Sequence, residues 1–385
     1  PVMIRASALL PLWDRAAEWA CRLAMVREAR SFVYLSTYYV EHDAYGVTML
    51  TALLAARRRG VAVNLLIDGF GQRLGGVLMS PADRAALSAL LADLRRAGAV
   101  VTVYRPAQTL QRWLGGGQHV KVQVSEAGEA VFGSSNLSRS SFEGWNEYSV
   151  SLRGPVVRAL LESYRAIGGS VEEPHLRQLA GVEDAGAADL TLEYWLCNPN
   201  LLQGWRGPLG WHGRNLVTDR LVDRIDAARR RILITSFYFK PVAALVAALA
   251  AAARRGVQVE VYHSHREALP ATDLAWIAAA AHYDRLLGAG VHIYENRRGE
   301  HSKIVLVDDE WVAFGSYNFE HAAHDRLAEA MLASGDPRAT RPAAAIFTEL
   351  ARHPDNVRVT ARSLDGLPAR LRARRRLLGP FKRWM

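Results

Sequence analysis

The chain holds 385 residues, 50% hydrophobic and 22% charged, with a formal net charge of +10 and two cysteines. At roughly 150 residues per domain this is material for two or three domains or one duplicated unit, and the composition excludes a disordered, collagenous or coiled-coil chain. Cys21 and Cys197 are too few and too far apart for a disulfide scaffold or a structural zinc site, which points to a reducing compartment, while the positive charge points to an anionic partner.

In chain order, Trp13, Asp14 and Arg15 interrupt the early Ala/Leu segment, so it does not read as a signal peptide. Residues 32–40 predict a strand, 47–59 a helix and, after Gly60, 61–67 a second strand. A second helix follows at 82–96, then an Ala-Gly turn and a strand ending near Tyr104. A Gly/Glu/Ala-rich stretch at 168–189 reads as connecting structure. The order then repeats: strand 232–239, helix 242–255, Gly256, strand 257–262, helix 273–287, Ala-Gly turn, and a strand ending near Tyr294. The longest uncharged run, 241–253, is short of the roughly 18 to 20 residues that cross a bilayer.

Repeated βαβ units predict an α/β fold of two similar lobes, residues 1–185 and 186–355, with mixed or parallel sheets flanked by helices and a pseudo-two-fold axis through one shared active site. The remaining segment, 356–385, carries nine basic residues and one acidic. It also places Leu364, Leu367, Leu371 and Leu378 at helical spacing and ends on Phe381 and Trp384. That pattern predicts a basic amphipathic tail lying on a membrane surface.

Late in each half stands one spaced set of polar residues. The first is His119, Lys121, Gly133, Ser134, Asn136 and Glu147; the second is His301, Lys303, Gly315, Ser316, Asn318 and Glu329, with identical spacings. Histidine and lysine two apart share one face of a strand. The Gly-Ser-x-Asn after the next turn offers small polar groups to an anion, with Ser134, Ser316, Lys121 and Lys303 as candidate phosphate ligands. Such a set suits phosphodiester exchange. One neutral histidine attacks phosphorus, the other delivers and then removes a proton, and lysines and asparagines stabilise the transition-state charge. A glutamate beside each imidazole fixes its orientation. The extra histidines His263, His265, His292, His321 and His324 lack ligand spacing and predict no metal site.

At these residues the chain resembles the phospholipase D superfamily, whose signature is a duplicated His-x-Lys-x4-Asp followed by Gly-Ser/Gly-x-Asn. The second copy matches through Asp308; the first has Glu126 in the aspartate position. Trp145-Asn146-Glu147, Arg59-Gly60-Val61 and Phe237-Tyr238-Phe239-Lys240-Pro241 make it most similar to bacterial cardiolipin synthases lacking N-terminal membrane spans. The resemblance implies phosphatidyl transfer to a lipid headgroup hydroxyl through a phospho-histidine, with no cofactor or metal, His119 as nucleophile and His301 as acid and base. It also implies a peripheral protein on the cytoplasmic side of a bacterial inner membrane, with phosphatidylglycerol or a similar anionic lipid as substrate. Hydrolytic phospholipase D, phosphatidylserine synthase and nuclease activities are the rivals. Because the body outside 356–385 carries only +2 of the net charge, no nucleic-acid partner is expected. Beside the motif, Leu110, Trp113, Leu114 and the segment 74–79 are candidates for an acyl entrance or a bilayer contact.

Overall fold

The computed structural model describes residues 2–183, 185–201, 213–269 and 273–385. The first repeat begins with strand Phe32–Thr37, buried at every position, so it reads as a continuous apolar run rather than an alternation. Asp43 then opens helix Ala44–Arg58 by accepting hydrogen bonds from the Tyr45 and Gly46 amides. Gly60, at φ +94°, turns the chain into strand Ala62–Asp68, a backbone conformation that a side chain resists. The second repeat uses the same device, with helix Ala243–Arg254, Gly256 at φ +90° and strand Gln258–Ser264.

The two sheets carry the same order of equivalent strands. In the first, Ala8–Leu12, Ser149–Arg153, Glu129–Gly133, Lys121–Ser125, Phe32–Thr37, Ala62–Asp68 and Val100–Tyr104 lie side by side. In the second, the run is Leu190–Cys197, Leu327–Ser334, Trp311–Gly315, Ile304–Val307, Arg231–Ser236, Gln258–Ser264 and His292–Asn296. Both are mixed, with parallel pairs where a helix crosses over and antiparallel hairpins around the His-x-Lys strands.

The sheets pack face to face. One core joins Tyr34, Val122, Val124, Phe132 and Val150 of the first to Leu233, Ile304, Leu306, Phe314 and Leu332 of the second. Helices cover the outer faces over two further cores.

Three features depart from expectation. The predicted helix 273–287 is two helices, Leu274–Ala280 and Tyr283–Ala289, and Trp276 on the first and Tyr283 on the second both donate to the buried Glu295 carboxylate. The N-terminal strand Val2–Ala6 pairs antiparallel with Leu190–Cys197, Val2 opposite Tyr194, and so completes the sheet of the second half.

The segment 356–385 also differs from the amphipathic stripe predicted for it. It opens as strand Asn356–Val359, paired with His292–Asn296 at the sheet edge. Leu364 is buried in the second-half core, and Leu367 and Leu378 pack against that core. Arg374 bonds Asp273 at 2.9 Å and Arg375 bonds Asp284 at 2.6 Å. Apolar spacing alone does not distinguish a lipid from a neighbouring helix, and here the neighbour holds the leucines. Among the described residues no helix is long and apolar enough to cross a membrane.

Candidate active site

His119 and His301 leave the ends of their strands toward the junction of the two sheets, where each is hooked to the opposite half. The His119 amide donates to Ala328 O at 2.9 Å, and the His301 amide donates to Asn146 O at 2.8 Å. Ala328 precedes Glu329 and Asn146 precedes Glu147, so each backbone bridge delivers a glutamate to the histidine of the other repeat. His119 Nδ1 lies 3.0 Å from Glu329 Oε1, and His301 Nδ1 bonds Glu147 Oε1. The glutamates are exchanged across the pseudo-two-fold axis, and the two histidines, two lysines and two glutamates converge on one place.

The protonation of the imidazoles follows from their partners. His119 Nδ1 also contacts Ser316 O at 3.1 Å, and a carbonyl only accepts, so Nδ1 carries a proton and neutral His119 keeps its Nε2 lone pair free. Burial drives both histidines well below their ordinary pKa, and the charges of Lys121 and Lys303 push the same way. That each imidazole feels both lysines reflects how closely the two motifs meet.

Lys121 Nζ donates to His119 O at 2.6 Å, and Lys303 makes the matching bond to His301 O. Both are fully buried, Lys121 pulled down to about 7 and Lys303 to about 8, burial being the main cause. Burial also pushes Glu147 up to about 7 and Glu329 well above the carboxylate range. Two buried lysines strained toward neutrality accept an anion well, because the anion supplies their missing counter-charge. Asn136 Oδ1 is spent on the Tyr38 amide at 3.2 Å and Asn318 Oδ1 on the Phe237 amide at 3.0 Å, so what each side chain has left to give is its NH2 group. Asn318 extends that group to Glu320 Oε1 at 3.2 Å.

The serines are placed differently from the sequence expectation of phosphate ligands. Ser134 Oγ donates to Glu147 Oε1 at 3.1 Å while accepting from the Tyr148 amide at 3.0 Å. Ser316 Oγ donates to Glu329 and accepts from the Ala330 amide at 3.0 Å. Both hydroxyls therefore hold the glutamates. Gly133 and Gly315 leave no room for a Cβ beside the strands Ser149–Arg153 and Leu327–Ser334, so their smallness serves strand approach rather than an anion.

Glu126 and Asp308 stand away from the chemistry and do equivalent work. The Asp308 carboxylate accepts from the amides of Arg229, Arg230 and Arg231 at the start of strand Arg231–Ser236. Glu126 accepts from the amides of Arg30 and Phe32 at the start of strand Phe32–Thr37. The longer glutamate arm reaches the same strand end in the first repeat.

Sequence reasoning did not find Arg15. Its guanidinium bonds Glu147 O at 2.9 Å, Ser141 O at 3.2 Å and Glu18 Oε1 at 3.1 Å, and Glu18 in turn bonds Arg22 at 2.7 Å, both buried. Arg15, Glu18 and Arg22 stand at i, i+3 and i+7 on helix Arg15–Glu28, and that spacing was the available signal of a shared face. Asp68, pushed up to about 7 by burial, accepts from the Gln118 amide at 2.8 Å and fixes the residue before His119. Around the rings, Tyr38 meets His119 edge-on at 4.7 Å and Trp145 stacks on His301 at 4.9 Å.

The family model described as "Cardiolipin synthase, PLD-like domain" matches residues 23–166 and 221–351, one segment for each repeat. Cardiolipin synthase B of Escherichia coli (strain K12) is 30% identical over 309 residues, covering 77% of this chain and 68% of that protein. Cardiolipin synthase of Geobacillus kaustophilus is 26% identical over 319 residues, covering 77% of this chain and 57% of that one. In fold, the crystal structure of phosphatidylserine synthase from Haemophilus influenzae superposes with a TM-score of 0.73 over 99% of this chain and 95% of that chain, at 14% identity. The chain belongs to the cardiolipin synthase family of phospholipase D-like domains.

Proposed function

We propose that this protein is a phosphatidyltransferase that forms cardiolipin or a related phospholipid through a phospho-histidine. The observation that carries the reading is the crossed pairing of two imidazoles with two buried glutamates beside two buried lysines. His119 Nε2 attacks phosphorus of the donor lipid and the bond to the departing headgroup oxygen breaks, while His301, which takes up a proton against the Glu147 carboxylate when the anionic donor binds, gives that oxygen the proton and is left neutral. Neutral His301 then removes the proton from the hydroxyl of a second lipid, whose oxygen attacks phosphorus and releases His119. Glu329 and Glu147 stabilise the positive charge that appears in turn on each ring, while the lysines and Asn136 face the non-bridging oxygens.

The lysine environment supports an anionic reacting group and gives the reaction a pH signature. A bound phosphodiester favours protonated lysine, so affinity falls as pH rises through the free-site values of about 7 and about 8. With a soluble phosphodiester, kcat/KM is expected to decline on the alkaline side of pH 8, mainly through KM; a flat profile from pH 7 to 9 rejects this role for the lysines.

The decisive assay incubates purified protein with labelled phosphatidylglycerol, with and without phosphatidylethanolamine or glycerol, and separates the lipids. Labelled cardiolipin is the expected product. Phosphatidic acid alone would make the protein a hydrolase, and DNA cleavage without lipid turnover would remove the lipid reading. Association with a membrane surface and an anionic phospholipid substrate are part of the same proposal, supported by the family relatives.

A further inference from the structure

The first half holds a pocket that the catalytic arrangement does not use. Its volume is about 490 Å³, and its lining includes Arg73, Arg105 and Arg112 together with Phe70, Tyr104 and Trp113. Two helices form its walls: Gly69–Leu78, which follows directly on strand Ala62–Asp68, and Thr109–Trp113. Phe70, Arg73 and Leu74 recur at i, i+3, i+4 on the first, and Thr109, Arg112 and Trp113 on the second, so each wall presents an arginine beside an apolar neighbour. Among the described residues no carboxylate lines the pocket.

The two wall helices also carry apolar side chains open to solvent. Trp113 is 84% exposed, Leu78 52%, Leu74 51% and Leu110 41%. Single exposed leucines need no explanation, but here four large exposed apolar side chains share the two helices that supply Arg73 and Arg112 to the pocket. Planar guanidinium groups match phosphate oxygens in pairs, and tryptophan favours the boundary where one end of a ring is apolar and the other wet.

The pocket also lies beside the reacting groups. Gly116 lines it, three residues before His119, which bounds the two Cα atoms within roughly 11 Å for an extended chain. The Tyr38 ring that meets His119 edge-on also abuts Gly71 of the pocket helix.

We infer that this pocket docks the protein on a bilayer by taking the phosphate of an anionic phospholipid at the membrane surface. Arg73, Arg105 and Arg112 grip the headgroup while Trp113, Leu110 and Leu74 enter the boundary with the acyl chains. Choosing a lipid as occupant rests on the phosphatidyl-transfer reading and on the exposed leucines, which a nucleic-acid strand has no use for. Docking here sets the mouth of the catalytic cleft against the lipid surface, a task expected from sequence of the segment 356–385.

The test uses the full chain and sedimentation with phosphatidylcholine vesicles, with and without phosphatidylglycerol. Arg105→Ala with Arg112→Ala is expected to weaken partitioning onto phosphatidylglycerol vesicles about tenfold or more. Trp113→Ala is expected to weaken binding to both vesicle types, and Arg105→Lys with Arg112→Lys to give an intermediate loss, with thermal melts unchanged throughout. Arg370→Gln with Arg376→Gln, both exposed on helix Ala369–Leu378, the last helix, is expected to stay near the parent.

Parent-like binding by the pocket variants, a larger loss from the last-helix variant, or displacement of vesicles by a single-stranded oligonucleotide would overturn the inference. Docking through the pocket in a protein that turns over no lipid leaves the inference standing and removes the proposed reaction. Lipid turnover with docking untouched by the pocket variants does the reverse.

Discussion

His119→Ala and His301→Ala are each expected to abolish phosphatidyl transfer, and the two losses are expected to be of different kinds. Each imidazole performs a step the other is placed to assist, since Lys121 and Lys303 act on both rings and each glutamate crosses to the opposite repeat. An aryl phosphodiester separates them, because its leaving group departs without a proton. With that substrate His301→Ala should still show one burst of phenol release and a trappable phospho-enzyme, whereas His119→Ala should show neither. The reverse pattern would exchange the two roles, and a burst in both variants would reject a phospho-histidine on this pair.

The crossed glutamates yield the second large effect. With the aryl phosphodiester, whose leaving group needs no proton, Glu329→Gln should slow formation of the phospho-enzyme on His119 while Glu147→Gln should slow only its breakdown, each by roughly 10² to 10⁴-fold. A within-repeat pairing would predict the opposite assignment, so rapid-quench measurement of the two steps decides between them. Both side chains are fully buried beside serine hydroxyls, and glutamine preserves the volume while removing the charge. A loss confined to thermal stability would reduce the glutamates to packing.

Much of this site was legible in the sequence because the chemistry is written twice. The spacing His119, Lys121, Asn136 recurs as His301, Lys303, Asn318, and repetition singles out residues that would be unremarkable alone. The pairing of the glutamates was not legible. Spacing counts residues along one repeat, whereas the Glu329 contact depends on Gly117–Gln118 lying parallel to Leu327–Ala328 across the sheets. Ser134 and Ser316 were misread for a related reason, since a hydroxyl near a catalytic histidine serves a phosphate or a carboxylate equally well until its neighbours are known. Leu364 and Arg374 show the same limit for the segment 356–385, where spacing did not reveal that the leucines pack on the protein itself.

The strand Val2–Ala6 has a consequence for how the molecule is made. It is synthesised well before its partner Leu190–Cys197, which emerges nearly two hundred residues later, and only then is that edge of the far sheet closed. During translation Val2–Ala6 must wait without its template while the first repeat emerges, and that strand is still unattached when the repeat is nearly complete. A gene cut between the repeats would strand that segment on the wrong polypeptide, so two separately expressed halves could reunite only as an interlocked pair. The duplication has thus been sewn into a single unit of inheritance.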